Sequence, residues 1–148
     1  MPTSPIVQLL LLFSLAAVTL ALVLGGRAER IAAIVVIAHI ALGFLVRAFL
    51  PELDGVIRFA NDGLAAMALL FVTLRYGAPW MGGAMLFYAA QFSLHSYYMV
   101  TGRAENDYLH ALINNINFSG ITWCLIIGTL VSWRQRVRRA KAARSPAA

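Results

Sequence analysis

Charge is scarce in this chain. Only 12% of its 148 residues are Asp, Glu, Lys or Arg, where soluble domains carry about a quarter. With 61% hydrophobic residues and a mean hydropathy of +0.77, the composition is too apolar for an ordinary soluble domain, and the length admits one domain. Cysteine is nearly absent. Cys124 stands alone inside an apolar segment, which excludes an intrachain disulfide, and no Cys/His spacing suggests zinc. No lysine lies in any apolar run; Lys141 sits in the C-terminal tail, so a retinal Schiff base has no anchor. Glycine-rich phosphate loops, Ser or Cys nucleophiles at motif distance from a histidine, and strong metal-ligand clusters are missing as well. So are an internal repeat of the transporter kind and the ordered charge rings of an ion filter.

What is present is a series of long apolar runs. The patterning predicts an all-α integral membrane protein, a bundle of five transmembrane helices spanning residues 5–24, 31–50, 56–75, 79–100 and 108–133, followed by a basic tail over 134–148. The first run, LLLLFSLAAVTLALVL, is long enough for a ~30 Å hydrocarbon core. It lacks the preceding Lys or Arg of a cleaved signal, so a retained span is expected. Pro51 and Gly55 are expected to stop and loosen the chain after the second run. The third is the weakest, because its clean portion, residues 64–74, is too short alone and needs the stretch holding Arg58, Asn61 and Asp62. Trp80 is placed as an interfacial anchor, and Gly82, Gly83 and Ala84 as a close-approach face. The tail is expected to be poorly ordered.

The formal charge of +6 is distributed as a membrane protein distributes it. Six of the twelve basic residues fall in the last fifteen positions, directly after an apolar run. That placement excludes a nucleic-acid groove and marks a cytoplasmic side. Five spans put nine of the twelve basic residues on that side, with Arg47, Arg58 and Arg103 opposite. The expected topology is therefore N-terminus out and C-terminus cytoplasmic. Heavy Ala, Leu and Arg usage suggests a bacterial inner membrane.

Polar residues gather in the predicted outer half. Tyr88, Gln91, His95 and Tyr98 recur at spacings of three and four, one face of a helix. His110, Asn114 and Asn117 do the same on the next helix. With Arg58, Asn61 and Asp62 these form a candidate ligand-binding pocket of Arg58, Asn61, Asp62, Gln91, His95, Tyr98, His110, Asn114 and Asn117, since intramembrane polar groups face a bundle interior or a cavity. Asp62 and Arg58, four apart, are expected to pair; a proton or cation site competes with that plainer reading. His95 and His110 flank one loop and suit a proton relay or, more weakly, a haem or quinone site. The plainer reading gives them hydrogen bonds to tyrosine or asparagine, and no cofactor is otherwise expected. His39 is expected to lie deeper. Asn114 and Asn117 double as interhelical glue.

The leading functional expectation is a non-enzymatic accessory or assembly subunit of a membrane complex, or a homo-oligomer, with the lipid bilayer and other subunits as partners. The alternative is a ligand-binding or transport protein with an outward-facing polar pocket.

Overall fold

The computed structural model describes residues 4–103 and 107–144. It is all-helical: α1 is Pro5–Leu24, α2 Arg27–Phe49, α3 Asp54–Tyr76, α4 Pro79–Thr101 and α5 Tyr108–Arg144, with a 3-10 turn at Pro51–Leu53 before α3. Among the described residues, four of the five helices, α1, α2, α3 and α5, are long and apolar enough to cross a membrane. The exception, α4, has 23 residues, so length is not what it lacks. Its buried face carries Tyr88, Gln91, His95 and Tyr98, and those polar side chains dilute its apolarity.

Each helix packs on its neighbour in sequence, and α5 closes back onto α1 while also touching α2. The result is a closed ring of helices. Two glycines end helices where the chain must turn left-handed: Gly77 after α3 and Gly102 after α4, each at φ 63°. Their N–H groups return to the Thr73 and Met99 carbonyls, the usual closure of a helix C-terminus.

The bundle is apolar outside, and within its hydrophobic core it holds a cluster of buried polar side chains. Leu9, Val23, Leu64, Met67, Phe71, Leu74, Leu86 and Val100 are all more than 60% exposed. Meanwhile Ser14, Asn61, Asp62, Gln91, His95, His110, Asn117, Thr122 and Thr129 are buried. Water would penalise that outer surface; lipid would not.

Several local expectations are revised. Gly55 lies in the first turn of α3 and is no flexible link. The basic tail is not loose over its described part, because α5 runs on to Arg144; residues 145–148 lie outside the described residues. At about 1.5 Å per residue, the 37 residues of α5 outreach a ~30 Å core. Arg136 ties this extension to the α1–α2 turn. It donates to the Leu24 carbonyl and stands 3.8 Å from the buried Glu29 carboxylate, which itself accepts the Gly26 N–H at 2.7 Å. That last bond caps α2, which therefore starts at Arg27, ahead of the expected boundary. Trp80, placed at the start of α4 as an interfacial anchor, is half-buried, with its ring over Gly128 of α5. Close approach falls chiefly at Gly120 and Gly128, although Gly83 does face Cys124.

Candidate functional site

Four helices bring the polar residues together around Asp62. This carboxylate is 1% exposed and sits between two imidazoles on different helices. Its Oδ1 is 3.7 Å from His39 Nε2 of α2, and its Oδ2 is 3.3 Å from His95 Nε2 of α4. The His95 contact is close without being aligned as a hydrogen bond, since both atoms lack a partner in hydrogen-bond geometry. The other ring nitrogen of His95, Nδ1, lies 3.2 Å from His110 Nε2 of α5. His95 thus bridges a carboxylate on one side and a second histidine on the other.

Spacing explains how these meet. Positions 88, 91, 95 and 98 share one stripe of α4, and all four side chains are buried. Asn61, next to Asp62, donates to the His39 backbone carbonyl at 3.0 Å and so fixes α2 against α3. Gln91 donates to Asn114 Oδ1 at 2.7 Å, fixing α4 against α5. The His39 ring also meets the Tyr88 ring edge-on at 4.9 Å. From sequence, His39 is expected to lie deeper and to join the pocket only if the second helix packs there, which it does. A lone histidine mid-way along an apolar helix was the available signal.

The expected Arg58–Asp62 pair is replaced by another. Arg58 reaches back one turn to Asp54, whose carboxylate also lies 3.8 Å from Arg47. Both neighbours of Arg58, at four residues either way, are acidic. Asp54, partly exposed at the helix start, keeps water as well as two guanidinium groups, so it is the less costly partner.

A cavity of about 200 Å³ opens between these groups. Six of the nine predicted pocket residues line it: Arg58, Asn61, Asp62, Gln91, His95 and Asn114. His39, Arg47, Asp54 and Asn115 join them, with apolar walls from α1, including Leu10 and Leu11. Tyr98, His110 and Asn117 are buried but do not line it. The charged Arg47–Asp54–Arg58 group marks one end, and the Asp62 histidine pair lies deeper. Among the described residues no three His, Cys, Asp or Glu side chains converge to hold a metal ion.

Tyr98 belongs to the end of the bundle near the α4–α5 connection. Its ring packs edge-on against His110 at 4.7 Å, and its hydroxyl donates to Asp107 Oδ2 at 3.0 Å. Asp107 caps α5: its carbonyl accepts the Ala111 N–H and its Oδ1 accepts the Leu109 N–H at 3.3 Å. The Tyr98 hydroxyl and then the Leu109 N–H hold the Asp107 carboxyl below its usual range. A depressed carboxylate stabilises above its unfolded value, about pH 4, and loses that contribution as pH falls through the folded value. Tyr98→Phe is therefore expected to lower the melting temperature at pH 6, with the gap to wild type closing as the pH falls through the depressed Asp107 value. A gap independent of pH would show that Tyr98 acts only through packing.

No family model, curated protein or solved structure matches this chain. The class defined here is thus a structural one: an all-helical protein with membrane-compatible apolar helices around a core that contains a buried polar cluster.

Proposed function

We propose that this chain is a multi-pass membrane protein that takes a small polar solute into the cavity beside Asp62, as a binding or transport protein. α4 is counted as the fifth span, shielded by α3 and α5. The positive-inside distribution puts the Arg136 end in the cytoplasm and the Arg47 end outside, in a setting we read as a bacterial inner membrane.

One observation carries the reading. His39 Nδ1, Asp62 Oδ2, Gln91 Oε1 and His95 Nε2 all belong to residues lining the cavity, and none has a hydrogen-bond partner. These atoms are packed against protein and not open to the void. Unpaired buried polar atoms cost about 1–3 kcal/mol each, so side chains that line the void gain by turning toward an occupant with donors and acceptors. The cavity falls below the ~300–1,000 Å³ of pockets for drug-sized ligands, which favours a small one. The accessory-subunit reading rests on short connections and the absence of a soluble domain, and no particular contact supports it over this. A bis-histidine haem fits poorly, because His95 and His110 hydrogen-bond directly at 3.2 Å and would have to part to admit an iron at about 2 Å from each ring.

The test is chemical access to Gly43, which lines the cavity and where an added Cβ meets nothing within 4 Å. In a Cys124→Ala background reconstituted in lipid, Gly43→Cys is expected to react with 2-aminoethyl methanethiosulfonate. Ile34→Cys, on the apolar outside at 58% exposure, should stay unmodified. A Gly43→Cys protein as inert as the Ile34→Cys control would overturn the reading.

A further inference from the structure

The cavity explains one side of Asp62 but not the other. His95 lines the cavity, and His110 behind it does not, continuing from Asp62 toward the start of α5. His110 is the third residue of that helix, 3% exposed, three positions after the solvent-facing Asp107 cap. If a core needed only satisfied polar groups, an amide would serve at either histidine. Two imidazoles in series do something an amide does not: each accepts a proton on one nitrogen and releases another from the opposite one.

We propose that His110 and His95 form a proton relay joining the α4–α5 end of the bundle to Asp62, a back door that stays open when a solute fills the cavity. This rests on the cavity reading, since an occupant beside Asp62 excludes the water that would otherwise carry protons to it. Solute uptake coupled to proton exchange needs such a second route.

The transfer balances as follows. Before it, Asp62 is a carboxylate, and both histidines are neutral with the proton on Nε2. A proton from the loop side binds His110 Nδ1, and His110 gives its Nε2 proton to His95 Nδ1. His95 gives its own Nε2 proton to Asp62 Oδ2. One proton has entered, the carboxylate has become a carboxylic acid, and each ring has exchanged its Nε2–H for an Nδ1–H. Reversal, or rotation of the rings once the cavity removes the Asp62 proton, restores the start. The 3.2 Å step between the rings is already a hydrogen bond. The 3.3 Å step to Asp62 needs only a rotation of side chains to align.

The surrounding charges are accounted for on every packed element. His39 faces Asp62 from α2. Arg58 lies one turn away on α3 and is engaged by Asp54 and, through it, by Arg47. His95 faces Asp62 from α4, where Tyr88 packs on the His39 ring. From α5, His110 stands behind His95 with Tyr98 against its ring, and α1 carries no titratable side chain.

Infrared difference spectroscopy after a pH drop reads the step directly, through the carboxylic C=O band that Asp62→Asn must remove. The measurement uses the full chain in lipid with the cavity plugged by Gly43→Phe. The band is expected to rise at least tenfold more slowly when His110→Gln or His95→Gln is added. Glutamine keeps a hydrogen-bonding amide at the site but cannot relay, so a purely structural role would be preserved. The amide band in the same spectra verifies the helices. Unchanged rates in both glutamine variants, or no Asp62 band at any pH, would overturn the relay. Failure of the cavity reading would show instead as an unreactive Gly43→Cys protein, which leaves this rate comparison intact.

Discussion

Gly128→Ala is expected to destabilise the bundle severely, although alanine is by far the better helix former. A Cβ at Gly128 would lie 2.1 Å from Trp80 Cδ2 and 2.4 Å from Cγ and Cε2. Those are rigid ring atoms near the start of α4, so relief requires moving the ring or the helix. Propensity alone predicts a gain of about 1 kcal/mol for alanine over glycine. Overpacking costs typically about 1–3 kcal/mol and more where nothing can yield, so sterics win and the sign is a loss. The consequence is larger in lipid, where helices associate through close packing rather than through hydrophobic burial. Gly120 repeats the arrangement, with a Cβ 2.4 Å from the Phe87 ring. Melting temperatures of the detergent-purified protein read the effect. Gly128→Ala should melt well below wild type, Trp80→Ala/Gly128→Ala should recover part of the loss, and Gly43→Ala, made into open space, should melt no lower than wild type. A Gly128→Ala protein as stable as wild type would show that Trp80 does not occupy that notch.

Gly128 also shows what the sequence could not disclose. Periodicity places Tyr88, Gln91, His95 and Tyr98 on one face of α4, and the structure buries all four. It says nothing of which glycine a given ring selects, because that depends on the relative height of two helices. Of the expected close-approach positions Gly82, Gly83 and Ala84, a Cβ at Gly83 meets Cys124 at 3.2 Å, whereas one at Gly82 has only Thr73 at 4.0 Å. The same limit governs the charges. Arg58 has an acid four residues to either side, and spacing alone cannot choose between Asp54 and Asp62. Burial chooses: Asp54 can share water and Arg47, whereas Asp62 is held among histidines.

His39 is the more instructive omission. Three of the four helices that meet at Asp62 announced themselves by polar stripes, but α2 contributes through one histidine in an otherwise apolar span. Position alone sets it deeper than the polar patch and leaves its azimuth open, yet it stands 3.7 Å from Asp62. The 3-10 turn at Pro51–Leu53 and the early start of α3 at Asp54 set how α2 and α3 align, and so bring His39 and Asp62 to one level. Neither boundary was visible in the hydropathy pattern. The continuation of α5 to Arg144 was equally hidden, since basic residues favour a helix C-terminus and a disordered tail alike. Its anchor, Arg136 on the Leu24 carbonyl and Glu29, spans more than a hundred positions.

Asp62→Leu is expected to cost about 3 kcal/mol or more, and the double variant Asp62→Leu/His95→Phe to cost less than that single change. Two magnitudes compete here. A hydrogen bond between transmembrane helices averages about 0.6 kcal/mol, because the inserted but unassembled helices find other partners. Leaving a buried polar group without its partner costs about 1–3 kcal/mol, and Asp62 stands between two such imidazoles. Asp62 is 1% exposed and within 3.7 Å of one imidazole and 3.3 Å of another, so the second scale applies. Leucine leaves His39 and His95 facing an apolar side chain with no acceptor between them. Replacing His95 as well removes one stranded ring and fills its volume with phenyl, and exchanging a buried polar pair for apolar groups is often neutral or better. Asp62→Asn, which keeps shape and an acceptor oxygen, should lie between wild type and Asp62→Leu. Reversible unfolding in mixed micelles supplies the four corners of the cycle. Simple additivity of Asp62→Leu and His95→Phe would mean that the contact carries no energy. Strong coupling of the predicted sign would mean that Asp62 and His95 interact directly across α3 and α4, as neighbouring members of a proton path must.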